Sequence, residues 1–170
     1  MAEALPSEIL AIVATIDPDN YASGNGTSLS DAIDMQFHDR VTFFIQVGKF
    51  DNAKDGTVDF KVKESDAAAG TYHLIAGKYI TQKTEHGSTD DNSQAVVNVM
   101  ASELSAGHRY VKGALVVGGT DTVDVAVLAL ASSSRFSDAV TSTSFGGECL
   151  TGKLKHWHRK YRIVAECAIF

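Results

Sequence analysis

Thr57-Val-Asp-Phe-Lys-Val-Lys-Glu64 alternates strictly, with Val58, Phe60 and Val62 at one parity and Asp59, Lys61 and Lys63 at the other. Successive side chains of a strand point to opposite faces, so this stretch reads as a half-buried antiparallel strand, apolar side in and charged side out. Just upstream, Val41-Thr-Phe-Phe-Ile-Gln-Val47 is rich in β-branched and aromatic residues and runs into Gly48, the punctuation expected after a strand. Between the two lies Asp51-Asn-Ala-Lys-Asp-Gly56, whose Asp-Gly pair is a turn signal. The same grammar continues downstream. His73-Leu-Ile-Ala and Tyr79-Ile-Thr flank Gly77, and Ala95-Val-Val-Asn-Val-Met100 follows the polar loop 84–93. Tyr110-Val-Lys-Gly-Ala-Leu-Val-Val117 runs into Gly118-Gly-Thr-Asp121, and Thr122-Val-Asp-Val-Ala-Val-Leu-Ala-Leu130 returns; this pair reads as a long hairpin with its turn at Gly118 to Asp121. Short strands about ten residues apart, joined by Gly, Asp, Asn and Ser turns, predict an all-β domain, an antiparallel β-sandwich or barrel.

Both ends depart from this middle, which divides the chain into an N-terminal arm and linker (residues 1–28), a β core (29–134) and a basic C-terminal arm (135–170). Ile9, Ile12, Val13 and Ile16 fall at helical spacing after Pro6-Ser-Glu8, yet the stretch is β-branched enough for an extended strand, so both readings stand. Residues 17–28 read as a turn-rich linker. Residues 1–134 hold 9 Lys and Arg against 18 Asp and Glu, whereas residues 135–170 hold 6 against 3. The bases cluster in Lys153-Leu-Lys-His-Trp-His-Arg-Lys-Tyr-Arg162, followed by the apolar Ile163-Val-Ala-Glu-Cys-Ala-Ile-Phe170. A basic arm on an acidic body predicts a segment that docks, on a neighbouring subunit or on a polyanion.

Composition bounds the function. A chain of 170 residues with 44% hydrophobic residues supports one core without a disulfide or metal staple. The net charge of −6 argues against non-specific nucleic-acid binding by the domain as a whole. No apolar run approaches the roughly 20 residues of a membrane-spanning helix. The first eight residues carry acids where a secretory signal has bases. Cys149 and Cys167 do not make a disulfide framework, which suits synthesis in a reducing cytoplasm.

The motifs of catalysis are missing from the sequence. It has no Gly-x-Ser-x-Gly elbow, no Gly-x-x-x-x-Gly-Lys-Ser/Thr loop and no Gly-x-Gly-x-x-Gly turn, so the expectation is a non-enzyme without cofactor. His156 and His158, with Cys149 and Cys167 near them in sequence, lack the paired spacing of a zinc site. The acidic pairs Asp17/Asp19 and Asp90/Asp91 do not fit the twelve-residue calcium loop. Asn25-Gly-Thr27 matches a glycosylation acceptor, which means little without a secretory signal. The candidate binding residues are therefore those of the arm: Lys153, Lys155, Trp157, Arg159, Lys160, Tyr161 and Arg162. Bases interleaved with aromatics suit single-stranded nucleic acid or a protein interface, and the acidic body favours the protein contact.

Three stretches together, Ala32-Ile-Asp-Met-Gln-Phe-His-Asp-Arg-Val-Thr-Phe-Phe-Ile-Gln-Val-Gly48, Gly56-Thr-Val-Asp-Phe-Lys-Val-Lys-Glu-Ser-Asp66 and Tyr72-His-Leu-Ile-Ala-Gly77, resemble small virion proteins of tailed bacteriophages. With the closing strand Tyr110 to Val117, the resemblance covers about residues 29–132. It implies a jelly-roll-like β-sandwich serving as a capsid decoration (cement) protein on the outer surface of the virion. It further implies a homo-oligomer, a trimer, seated on the major capsid protein at subunit junctions, with no catalytic residues. Two alternatives share the fold. One is a tail or neck component, and the other is a carbohydrate-binding jelly roll that stacks sugars on loop aromatics such as Tyr21 or Tyr72.

Overall fold

The computed structural model describes residues 10–22, 26–50, 56–85, 90–119 and 122–134. Their strands are β1 (Leu10–Ala22), β2 (Thr27–Leu29), β3 (Ile33–Asp34), β4 (His38–Phe50), β5 (Thr57–Ser65), β6 (His73–Tyr79), β7 (Lys83–Thr84), β8 (Gln94–Met100), β9 (Tyr110–Gly118) and β10 (Thr122–Ser134). One sheet has the order β1-β10-β4-β8; the other runs β2-β9-β5-β6, with β3 added on β9 and β7 on β5. All pairings are antiparallel. The ladders nest: β5 with β6, then β4 with β8, then β2 with β9, then β1 with β10. That nesting is one long hairpin rolled on itself so that its strands are dealt to two facing sheets, which is the jelly roll. The fold is an antiparallel jelly-roll β-sandwich.

The core follows from the alternation. Val58, Phe60 and Val62 of β5 are fully buried, opposite Val41, Phe43 and Ile45 of β4, which are likewise at 0% exposure. Phe43 and Phe60 meet across the sandwich with ring centres 5.5 Å apart, tilted by 51°. Gly113 of β9 makes room for them, because a Cβ there would lie 2.7 Å from Cζ of Phe60 and 3.2 Å from Cε1 of Phe43.

Four expectations are corrected. The stretch 10–22 is strand throughout, so the sandwich begins by Leu10 rather than near residue 29, and residues 17–22 are not linker. Pro18 and its Asp and Asn neighbours fit there because β1 is an edge strand with register shifts, one of them between Ile16 and Asp19, where a missing N–H costs no ladder bond. Residues 27 and 28 also pair, with Val116 and Leu115. Strands β9 and β10 are not a hairpin: they lie in different sheets, so Gly118 and Thr122 end and begin strands on opposite layers of the sandwich. Alternation reports which face of a strand is buried, not whether its successor lies beside it or opposite it. Finally, Gly48 does not end β4, which runs on to Phe50. It lies in a bulge of β4 itself, where Gly48 and Lys49 together oppose Asp124, and a Cβ there would sit 3.0 Å from Cβ of Asp124.

Candidate binding surface

The two outer faces of the sandwich differ in kind. On the second sheet, β5 turns Asp59, Lys61 and Lys63 outward, the charged side that the alternation predicts. The first sheet carries apolar side chains on both sides, those of the outer face set among polar ones. Its central strand β10 buries Val123, Val125, Val127 and Ala129 inward while Leu128 and Leu130 stand on the outer face, half-buried. Register then assembles the outer rows. Thr15, Leu128, Phe44 and Val96 lie side by side across the four strands, as do Ile12, Leu130, Thr42 and Asn98, and below them Leu10, Ser132, Arg40 and Met100. Ile12 and Val96, on the two edge strands, are 54% and 51% exposed, and Leu10, Phe44 and Met100 are also exposed. Within the middle row, Thr42 Oγ1 donates to Asn98 Oδ1 at 2.7 Å.

This face has a polar end. A shallow hollow of about 350 Å³ lies among Thr15, Pro18, Phe44, Gln46, Leu128 and Leu130. It leads toward a second of about 340 Å³ bordered by Asp19, Asn20, Gly48 and Asp124. Asn20 Nδ2 donates to Asp124 Oδ1 at 2.9 Å, and the Tyr21 hydroxyl donates to the Asp17 carbonyl at 2.8 Å. Burial, then the carboxylates of Asp19 and Asp17, push the Tyr21 phenol above its ordinary value. Asp17, Asp19 and Asp124 thus make one end of this face acidic. A surface of this kind can bind a polypeptide with an apolar stretch next to a basic one.

The other titratable clusters serve the fold. Glu64, buried on β5, accepts from Ser105 N at 2.9 Å and from Ser105 Oγ, with His108 Nδ1 at 3.4 Å. Burial pushes its carboxyl up, but the two bonds from Ser105 and the adjacent His108 outweigh that and hold it below the ordinary carboxylate range. The rings of His73 and His108 stack at 6.1 Å. Ser105 and His108 both address the one carboxylate, so the hydroxyl is not set up as a nucleophile by the imidazole.

Of the acids weighed for calcium, Asp90 accepts from Thr84 N at 2.9 Å and Asp91 from Phe50 N at 3.3 Å, which pins the loop to two strand ends. That bond from Thr84 holds the Asp90 carboxyl below its ordinary value. Among the described residues no three His, Cys, Asp or Glu side chains converge as metal ligands. Tyr72 is engaged as well: its hydroxyl donates to the Ala68 carbonyl at 2.9 Å, and Lys112 Nζ lies 4.7 Å from its ring centre.

All seven binding residues anticipated from the sequence, Lys153 to Arg162, lie outside the described residues, as do Cys149, Cys167, His156, His158 and Asn25. The apolar outer face was not anticipated. Its signal is present in Val125 to Ala131, where both parities are apolar, and in the adjacent Phe43 and Phe44.

No family model matches the chain, and no curated protein does either. Among solved structures it is similar to the Eiger TNF of S. frugiperda, at 9% identity, over 79% of this chain and 98% of that one, with a TM-score of 0.31. The jelly-roll assignment stands on the strand order, independently of that likeness.

Proposed function

We propose that the protein is a structural component of a tailed-phage virion, a trimeric decoration protein that binds the major capsid protein at subunit junctions and has no catalytic role. The observation that carries a binding role is the apolar outer face of the first sheet, exposed at Ile12, Phe44, Val96 and Met100. Exposed apolar area of this kind marks an interaction surface, and a rigid sandwich presents it without an ordering cost. The phage assignment is supported by the pattern of residues 29–132. The basic arm, with Lys153, Lys155, Trp157, Arg159, Lys160, Tyr161 and Arg162, supplies the segment that links neighbouring copies. Linked copies hold a capsid junction more durably than single ones, because release of one leaves the others engaged.

The test is co-sedimentation with undecorated capsids, with solution mass from light scattering. The full chain is expected to be a trimer and to bind capsids saturably, and a chain lacking residues 148–170 to lose capsid occupancy. No saturable binding to capsids would overturn the virion reading, and saturable binding on a glycan array in its place would favour the carbohydrate module.

A further inference from the structure

We infer that the outer face of the first sheet is the receiving site for residues 153–170 of a second copy of this chain. The inference rests on the homo-oligomer part of the reading above and not on the capsid.

The face and the segment match in order as well as in kind. The face carries the apolar side chains Leu10, Ile12, Leu128, Leu130, Phe44 and Val96, with Thr42, Asn98 and Arg40 among them, and at its other end the acids Asp17, Asp19 and Asp124 outnumber Lys49. The segment is basic over 153–162, with five Lys and Arg, and then apolar over 163–170, interrupted by one acid, Glu166. Laid with its basic run at the acidic end, the segment brings its apolar run onto the apolar rows. The acidic end and the apolar rows are separated along the strands; the rows from Leu128 to Ser132 span about 13 Å and eight extended residues about 26 Å, so the apolar run is long enough to cover them.

Reach is also sufficient. Strand β10, the central strand of this sheet, carries the chain to Ser134 at the apolar end of the face. Residues 135–152 then give a tether of up to about 60 Å, enough to arrive at a neighbouring molecule. Exchange that closes, reciprocally in a dimer or cyclically in a trimer, leaves no face and no segment unused, since each copy gives one segment and offers one face. It also covers on every copy an apolar surface that would otherwise face water.

The test uses two lesions at the two halves of the contact. Ile12→Asp with Val96→Asp places charge on the face at positions already exposed, so folding is not at stake; circular dichroism and the melting temperature check this. Deletion of residues 153–170 removes the segment. Leu74→Asp, 59% exposed on the outer side of the second sheet, is the control. Light scattering is expected to show the wild type and the control as oligomers and both lesioned chains as monomers, a threefold drop in mass from a trimer. The decisive step is mixing. The chain with the charged face keeps its segment, the truncated chain keeps its face, and together they are expected to form a heterodimer that neither forms alone. An oligomer that survives both lesions overturns this inference and leaves the homo-oligomer reading standing. Two monomers that fail to combine on mixing overturn the exchange as well. A monomeric wild type overturns the homo-oligomer reading and this inference with it.

Discussion

Gly113 shows how closely one position can be tied to the whole core. Its backbone N–H donates to Ser30 Oγ at 2.9 Å and its carbonyl accepts from Ser30 N at 2.9 Å, so it cannot move away from β2 and β3. On its other side the Phe60 ring, fully buried, occupies the space a methyl group would need. Gly113→Ala is therefore expected to destabilise the fold by about 1–3 kcal/mol, the ordinary cost of overpacking a filled core, measured as a shift of the urea midpoint with unchanged slope. A neutral result would mean that the Phe43–Phe60 pair can slide. The sequence marks Gly113 as a glycine inside a strand, a signal of close approach. Which ring approaches is invisible there, because Phe60 is 53 residues away and the contact depends on how β5 and β9 pair.

The ladders hold the elements, and Glu64 ties one connection to them. Residues 101–109 carry the chain from β8 in the first sheet to β9 in the second, beginning with a 3-10 turn at Ala101–Glu103. Glu64 on β5 anchors this crossover through Ser105, and Lys78 on β6 adds an ion pair to Glu103 at 2.7 Å. The folded-state pKa of Glu64 is depressed below its value in the unfolded chain, about 4.3. Its charge therefore stabilises the fold fully above that pH, and the contribution is lost as pH falls through the lower folded-state value. Glu64→Gln should lower the melting temperature at pH 7, with the gap to wild type closing toward pH 3. A gap independent of pH would place the effect in shape rather than charge. The strands themselves were largely legible, since β5 matches its alternating stretch and β8 its apolar one. The crossovers were not. Turn letters such as Gly118-Gly119 and Asp55-Gly56 say that the chain changes direction, while the choice between pairing beside and packing opposite belongs to the sheets.

At the scale of the molecule, charge is divided between a body of 18 acids against 9 bases and a C-terminal segment of 6 bases against 3 acids. If the segment docks at Asp17, Asp19 and Asp124 of another copy, part of the association is screened by salt, since the screening length falls from about 10 Å at 0.1 M to about 3 Å at 1 M. The dissociation constant of the oligomer should then rise several-fold between these sodium chloride concentrations, followed by sedimentation across a dilution series. A constant that stays flat would assign the association to the apolar rows alone. The sequence by itself determined that the protein is all β, which parities of its strands face the core, and that its acids and bases are segregated along the chain. These are local properties, written in the period of two and in composition. Only the tertiary structure decided that the strands nest as a jelly roll, that Leu10–Ala22 is an edge strand of the sandwich, and that Ile12, Leu130, Phe44 and Val96 come together on one face. Those residues are separated by up to 118 positions, and no local pattern carries the register that brings them side by side.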